Sequence, residues 1–390
     1  MTTIGIVAEW NPFHNGHKRL LTQIRQVHPE ACIVSVMSGA FCQRGEVACF
    51  DKWLRAEMAL AAGVDVVLEL AQVYATASLE GFARGGVASL LAFTSLDALY
   101  CGSESGDEAA LSAQADYLRS HQEAFDKAMR QAGEQGFNYA QASQEFLRSA
   151  GFTSDKNTPN DRLALWYRMA LPDNIPIHLV RRTVAHDTLE TAEGTMSASA
   201  IRAKLPDALD DMAAYLPDTS LSIMQRAFAK GWQAADEVSL LTALKVLATS
   251  LEADALAVRL SIRDGWSPRL LTAIREATSY DDLINRAQTR HYSRSRIRRL
   301  LLELVSPLPK APSTPPYIRL LGASKRGRTL LKKRTNNVPL IVNVGRDQYQ
   351  LSVEDRALLL ADIHRQNLAD LLCHNTIARD YYEPPRFTTS

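Results

Sequence analysis

Long apolar runs are missing from these 390 residues. No stretch approaches the length a helix needs to cross a bilayer, and Glu9 and Trp10 stand where a secretory signal would carry its small-residue cleavage region. A cytoplasmic protein with no membrane partner is expected. Cysteine is scarce: Cys32, Cys42, Cys49, Cys101 and Cys373 form no CxxC pair, and the odd count argues against a disulfide framework or a structural zinc. Net charge is nearly absent at +1, with 46% hydrophobic and 22% charged residues, the balance of an ordinary globular chain long enough for two or three domains. Internal repeats are lacking, and no carboxylate pair or Ser/His/Asp order stands out.

What is present is unevenly arranged. Six arginines fall between Arg286 and Arg299, and six further cations between Lys325 and Arg334. Segregation of this kind matters more than the total when the partner is a polyanion.

In the first half, short apolar runs alternate with stretches of helical period, the pattern of a parallel sheet covered by helices. Strands are predicted at Thr3 to Ala8, Cys32 to Met37, Val64 to Leu70, Leu96 to Cys101 and Ile175 to Val180, each apolar enough for burial on both faces. Asp51 caps a helix that Gly63 stops, and further helices begin near Ser78 and Asp107. Residues 1–205 therefore read as a Rossmann-like α/β domain with a parallel sheet. Residues 206–390 read as a mainly α-helical, basic domain, with a proline-rich connector at 306–316 (five prolines in eleven residues), then a short basic helix and one strand at Pro339 to Val344.

The join between the first strand and the first helix, AEWNPFHNGHKRLL, is crowded with polar groups that a plain turn does not need. A helix amino end offers free N–H groups and a partial positive potential, both suited to phosphate. Gly16 omits a Cβ that would obstruct a nucleotide against the backbone, while His14 and His17, three apart, can both donate to phosphate oxygens. The carboxyl end of the first strand is where open α/β sheets bind ligands. Arg181 and Arg182 end another strand, where two cations suit phosphate, although a charged strand terminus has the same appearance. QRGE (Gln43 to Glu46) and Lys52 follow the second strand and face either the same crevice or the protein interior.

WNPFHNGH resembles the HIGH-type motif of nucleotidylyltransferases. Together with VMSGAFCQRGEVACFDKWLRAEMALAAGVDVVLEL, YCGSESGD, TRHYSRSRIRRLLLEL and YIRLLGASKRG, it resembles the bacterial tRNA(Met) cytidine acetate ligase family over nearly the whole chain. The resemblance implies that ATP is a substrate, with Mg²⁺ alongside, and that His14 and His17 are the catalytic pair stabilising charge at the α-phosphate. It implies ATP contacts along the strand end Val7, Ala8 and Glu9 and the turn Trp10, Asn11, Pro12 and Phe13. The helix start Asn15, Gly16, Lys18, Arg19 and Leu20 would complete the junction.

Beyond it, the same resemblance implies ATP contacts from Gly102, from Asn160 in a TPND stretch, from Arg181 and Arg182, and from Ser197 and Ser199 in SASAIR. TPND has Thr158 and Asp161 where the family pattern has Ser and Asn. Acetate would attack the α-phosphorus, and the exocyclic amine of the wobble cytidine of elongator tRNA(Met) would then take the acetyl group. Glu9 or the QRGE loop would border the acetate.

The basic runs fit RNA, with Arg290, Arg294, Arg296, Arg299, Lys325 and Arg326 as contacts and His291 and Tyr292 interleaved for stacking. Two other readings stay open. A small-molecule adenylyltransferase explains the histidines but not the basic half; a nonenzymatic RNA-binding protein explains the basic half but not the histidines.

Overall fold

The structure, a computed structural model, describes residues 1–135, 139–152, 158–182, 196–205, 209–262, 265–334 and 336–388. Pro206, where the second unit begins in the sequence reading, lies outside them.

Among the described residues the chain forms an eight-stranded sheet. Its parallel part comprises β1 (Thr3–Ala8), β2 (Cys32–Ser38), β3 (Val66–Leu70), β4 (Ala98–Ser103) and β5 (Ile177–Arg181). The order is β5-β4-β1-β2-β3, so the chain winds outward from β1 through β2 to β3, then crosses back to place β4 on the other side of β1. Reversal between β1 and β4 opens a crevice at the carboxyl ends of those strands.

Successive residues of each strand feed opposite layers, because side chains alternate across a sheet. From β2, Cys32, Val34 and Val36 enter the core under the helices Leu79–Phe93 and Pro159–Ala170. Ile33 and Met37 enter the core on the other face, under α1 (Asn15–Val27) and α2 (Lys52–Ala61). Asp51 caps α2 through the Leu54 N–H at 2.8 Å, and Ser78 and Asp107 cap the helices that follow them.

The sheet does not end at residue 205. Ile318–Ala323 forms β6, which joins β3 antiparallel; β7 (Leu340–Ile341) and β8 (Arg386–Phe387) pair with β6. Met212, Leu216, Ile223 and Met224 pack in the same core as Ile4 and Ile6 of β1. Residues after 205 thus complete both the sheet and one of its faces. What has a separate core is a helical segment, with Leu244, Leu270, Ile284, Ile297 and Leu301 at its centre. The reading of 206–390 as mainly helical, with one strand at Pro339 to Val344, missed β6, which carries a cation, Arg319, as its second residue. That cation is buried in an ion-paired cluster: Arg319 reaches Asp380 at 2.6 Å and Glu69 at 3.4 Å, and Lys52 bridges the same two carboxylates at 2.7 and 2.8 Å. Lys52 is thereby a cross-link between α2, β3 and the segment at Asp380, and it does not line the crevice.

Candidate functional site

A cavity of about 270 Å³ fills the crevice between the carboxyl ends of β1, β4 and β5. At its floor, α1 begins with His14 as N-cap. The His14 Nδ1 accepts the Gly16 N–H at 3.0 Å, and the His17 Nδ1 accepts the His14 N–H at 3.3 Å, a reciprocal capping box built from two imidazoles. The rings stack with centroids 3.9 Å apart. Since both Nδ1 atoms accept, each neutral ring carries its proton on Nε2.

Burial, with the charges of Arg182 and Arg202 behind it, lowers the His14 pKa to about 3; burial, His14 and Arg182 hold His17 well below its usual value. Both rings are therefore neutral N–H donors at physiological pH. Gly16 has a different reason from nucleotide clearance alone: a Cβ there would stand 2.8 Å from Cε1 of the His14 ring.

The turn before α1 is held from several sides. Trp10 adopts φ +44, a region that bulky residues seldom occupy, and its ring is buried against Phe13. The Asn11 Oδ1 accepts the Cys49 N–H at 2.7 Å. Arg55, fully buried on α2, donates to the carbonyls of Glu9, Ser38, Gly39 and Phe50, tying the ends of β1 and β2 together.

Five arginines line the cavity (Arg19, Arg44, Arg181, Arg182 and Arg202) against two glutamates, Glu9 and Glu46. That excess suits a polyphosphate. Arg202 is held by the Asn11 carbonyl at 2.7 Å and the Ser199 hydroxyl at 3.3 Å, while Ser197 caps its helix through the Ala200 N–H at 3.1 Å. Gly102 lies against the Arg182 side chain.

On the opposite side, the loop after β4 and the helix at Pro159 lock reciprocally. Glu104 accepts the N–H groups of Asn160 and Asp161, both at 3.0 Å, and also the Asn160 side-chain amide. Asp161 in turn accepts the N–H groups of Glu104 and Ser105 and the Ser103 hydroxyl. Asp161 is thus the acceptor that shapes this loop.

Of the sequence-derived ATP contacts, the cavity brings together Val7, Ala8, Glu9, Trp10 and Asn11 with His14, Gly16, His17, Arg19 and Leu20. It also gathers Gly102, Asn160, Arg181, Arg182, Ser197 and Ser199. Pro12, Phe13, Asn15 and Lys18 do not line it: Phe13 packs against Trp10, the Asn15 side chain donates to the Ala214 carbonyl, and Lys18 is exposed.

Leu79, Phe82, Leu163 and Tyr167 form an apolar wall that the sequence reading did not assign, because residues at helical spacing read simply as core. Tyr167 is 1% exposed, and its hydroxyl is without a hydrogen-bond partner among the described residues. From QRGE, Gln43, Arg44 and Glu46 face the cavity, and the Glu9 carboxylate accepts the Gln43 N–H at 2.6 Å.

The basic residues assigned to RNA divide between two places. Arg290, Arg294, Arg296 and Arg299 stand on or before the helix Arg294–Val305, whose Arg299 donates to the Gln43 carbonyl at 3.1 Å and whose Arg298 pairs with Glu46 at 2.6 Å. Burial lowers the Arg299 pKa to about 10, with Arg296 adding to the effect. Arg294 is held by Asp281 and Asn285. Lys325 and Arg326 lie at the other end of the sheet, where Arg326 donates to the Ala31 carbonyl just before β2. Tyr292 does not project for stacking; it is 2% exposed, face to face with Trp266.

The sequence pattern of the family described as HIGH Nucleotidyl Transferase matches residues 1–383. The tRNA(Met) cytidine acetate ligase of Anoxybacillus flavithermus is 32% identical, the match covering 99% of this chain and 100% of that protein. The protein of the same name from Caldanaerobacter subterraneus subsp. tengcongensis is 33% identical over 98% and 99% of the two chains. Among solved structures, apo Thermotoga maritima TmcAL superposes with a TM-score of 0.90 at 27% identity, and the same protein bound with alpha-thio ATP with 0.88 at 28%, each covering 100% of both chains.

Proposed function

The chain belongs to the HIGH nucleotidyl transferases and, within them, to the tRNA(Met) cytidine acetate ligase family; on that premise we propose that it activates acetate with ATP and acetylates the wobble cytidine of elongator tRNA(Met). The observation that carries the reading is the pair of neutral, stacked histidines at a helix amino end, facing an arginine-lined cavity at the sheet's reversal point.

In the first step, an acetate oxygen attacks the α-phosphorus while the bond to pyrophosphate breaks. Charge gathers on the phosphoryl oxygens, where preorganised donors lower the barrier. The Nε2–H groups of His14 and His17 are such donors, already aligned by their Nδ1 hydrogen bonds. Arg181, Arg182 and Arg202 neutralise the leaving pyrophosphate, with Ser197 and Ser199 beside them. In the second step, the cytidine amine attacks the acetyl carbonyl, loses a proton and expels AMP.

A Mg²⁺ ion accompanying ATP would be held mainly by the nucleotide's phosphates, with few protein ligands required. The carboxylates lining the cavity are Glu9 and Glu46, and these would be the residues to hold it. Such an ion would neutralise triphosphate charge.

No helix among the described residues is long and apolar enough to cross a membrane; the proposed work on tRNA is what points to the cytoplasm. The deciding experiment is incubation with ATP, labelled acetate and bulk tRNA, followed by nucleoside analysis. Label is expected in acetylcytidine, with AMP and pyrophosphate formed in step. Adenylyl transfer to a small molecule without labelled tRNA would overturn the reading.

A further inference from the structure

We propose that the outer face of the Arg296 guanidinium is a stacking platform for an unpaired nucleobase next to the acceptor cytidine. The inference rests on the reading of RNA as acceptor and adds to it a contact point and a ligand class. Tyr292 lies 3.7 Å from Trp266, with ring planes 6° apart. The Arg296 guanidinium sits 4.2 Å over the Tyr292 ring. Trp266 occupies one face of the tyrosine, so the guanidinium occupies the other, and the three form a column of flat groups.

The inner members are fixed. Trp266 and Tyr292 are buried, and the indole N–H donates to the Ala287 carbonyl at 2.8 Å. Arg296 is exposed yet oriented, donating to the His291 carbonyl at 3.2 Å. Its neighbours are spent differently: Arg294 is bound by Asp281, and Arg298 by Glu46. A guanidinium packed over a buried ring offers its outward side to solvent at little further cost in side-chain freedom, and RNA-binding proteins stack unpaired bases on guanidinium planes.

Position makes the platform specific. Arg296 lies one helical turn before Arg299, whose guanidinium touches the Gln43 carbonyl at the cavity rim. Gly45 binds the helix closely there; a Cβ on it would meet the Arg299 amide at 2.8 Å. A cytidine whose amine enters the cavity must leave its own stack, depriving a neighbour of its partner. The column ending in Arg296 stands where it can take over that neighbour.

The test uses the full-length protein and a stem-loop RNA carrying the acceptor cytidine, either intact or with the base removed from the nucleotide on one or the other side. Arg296→Ala is expected to lower acetylation kcat/KM on the intact RNA by about tenfold, but by no more than about twofold on one of the two abasic RNAs. Arg296→Lys, which keeps the charge and loses the plane, should follow the alanine variant. In a second readout, 2-aminopurine at the neighbouring position should be quenched on binding the wild-type protein and less so on binding either variant. Equal losses on intact and both abasic RNAs, or full activity in Arg296→Lys, would overturn the platform. Failure of the wild-type protein to acetylate the intact RNA would instead remove the RNA-acceptor reading beneath it.

Discussion

Replacing His17 by alanine removes a donor from the proposed phosphate site and an acceptor from the helix cap. Acetate-dependent pyrophosphate exchange should fall by at least about a hundredfold, in line with the roughly 3 kcal/mol typical of a preorganised donor. An exchange rate near wild type would remove the histidines from the activation step. The same pair makes stability depend on pH in a definite direction. With its folded pKa lowered to about 3 from 6.5, His14 contributes stability that is complete above pH 6.5 and is lost as pH falls toward 3. Between pH 7 and pH 5 this amounts to about 2 kcal/mol, which a His14→Gln variant should not lose. Parallel urea midpoints for the two proteins would show the model of a neutral, capping His14 to be wrong. Tyr167 is a different case: Tyr167→Phe deletes a buried hydroxyl without a partner, so the free protein should keep its Tm or gain up to about 1 kcal/mol. If that hydroxyl serves the ligand, the rise in Tm on adding ATP should shrink in the same variant.

At the scale of elements, the parallel strands were legible because burial on both faces forces unbroken apolar runs, and β1 occupies the predicted span. Capping residues Asp51, Ser78 and Asp107 marked helix starts for equally local reasons. β6 was not legible: the arginine near its start resembles a surface residue until Asp380, far along the chain, supplies the countercharge. Much the same holds for the arginine-rich helix. Sequence shows six cations, but not that Arg298 and Arg299 turn toward the QRGE loop while Arg296 lies over a tyrosine. At the junction of β1 and α1, the polar crowding pointed to a place where a cavity does open, whereas the capping geometry that leaves Nε2 free to donate became visible only in three dimensions. Gly45 is where this helix meets the active-site rim, at φ +78 with no room for a Cβ. Gly45→Ala should cost about 1–3 kcal/mol of stability through its unfavourable backbone conformation. It should also raise the KM for tRNA, measured by acetylation at fixed ATP, as the helix shifts from the rim.

For the whole molecule, the cluster of Lys52, Glu69, Arg319 and Asp380 fastens the chain end to the middle of the sheet. Asp380→Asn leaves two buried cations sharing one carboxylate, and breaking a buried pair in this way costs about 3–5 kcal/mol. The urea midpoint should drop accordingly; an unchanged midpoint would mean that the tail contributes nothing to the fold.

The antiparallel pairing of β6 with β3 also bears on how the protein is made. The edge of β3 is available once residue 70 has left the ribosome, yet its partner ends only at residue 323. At about 5–20 residues per second the interval is on the order of tens of seconds. Throughout it the nascent sheet carries an apolar, unpaired edge of the sort that recruits other chains. Premature termination within the helical segment would therefore yield not a working activation domain but a fragment prone to aggregate.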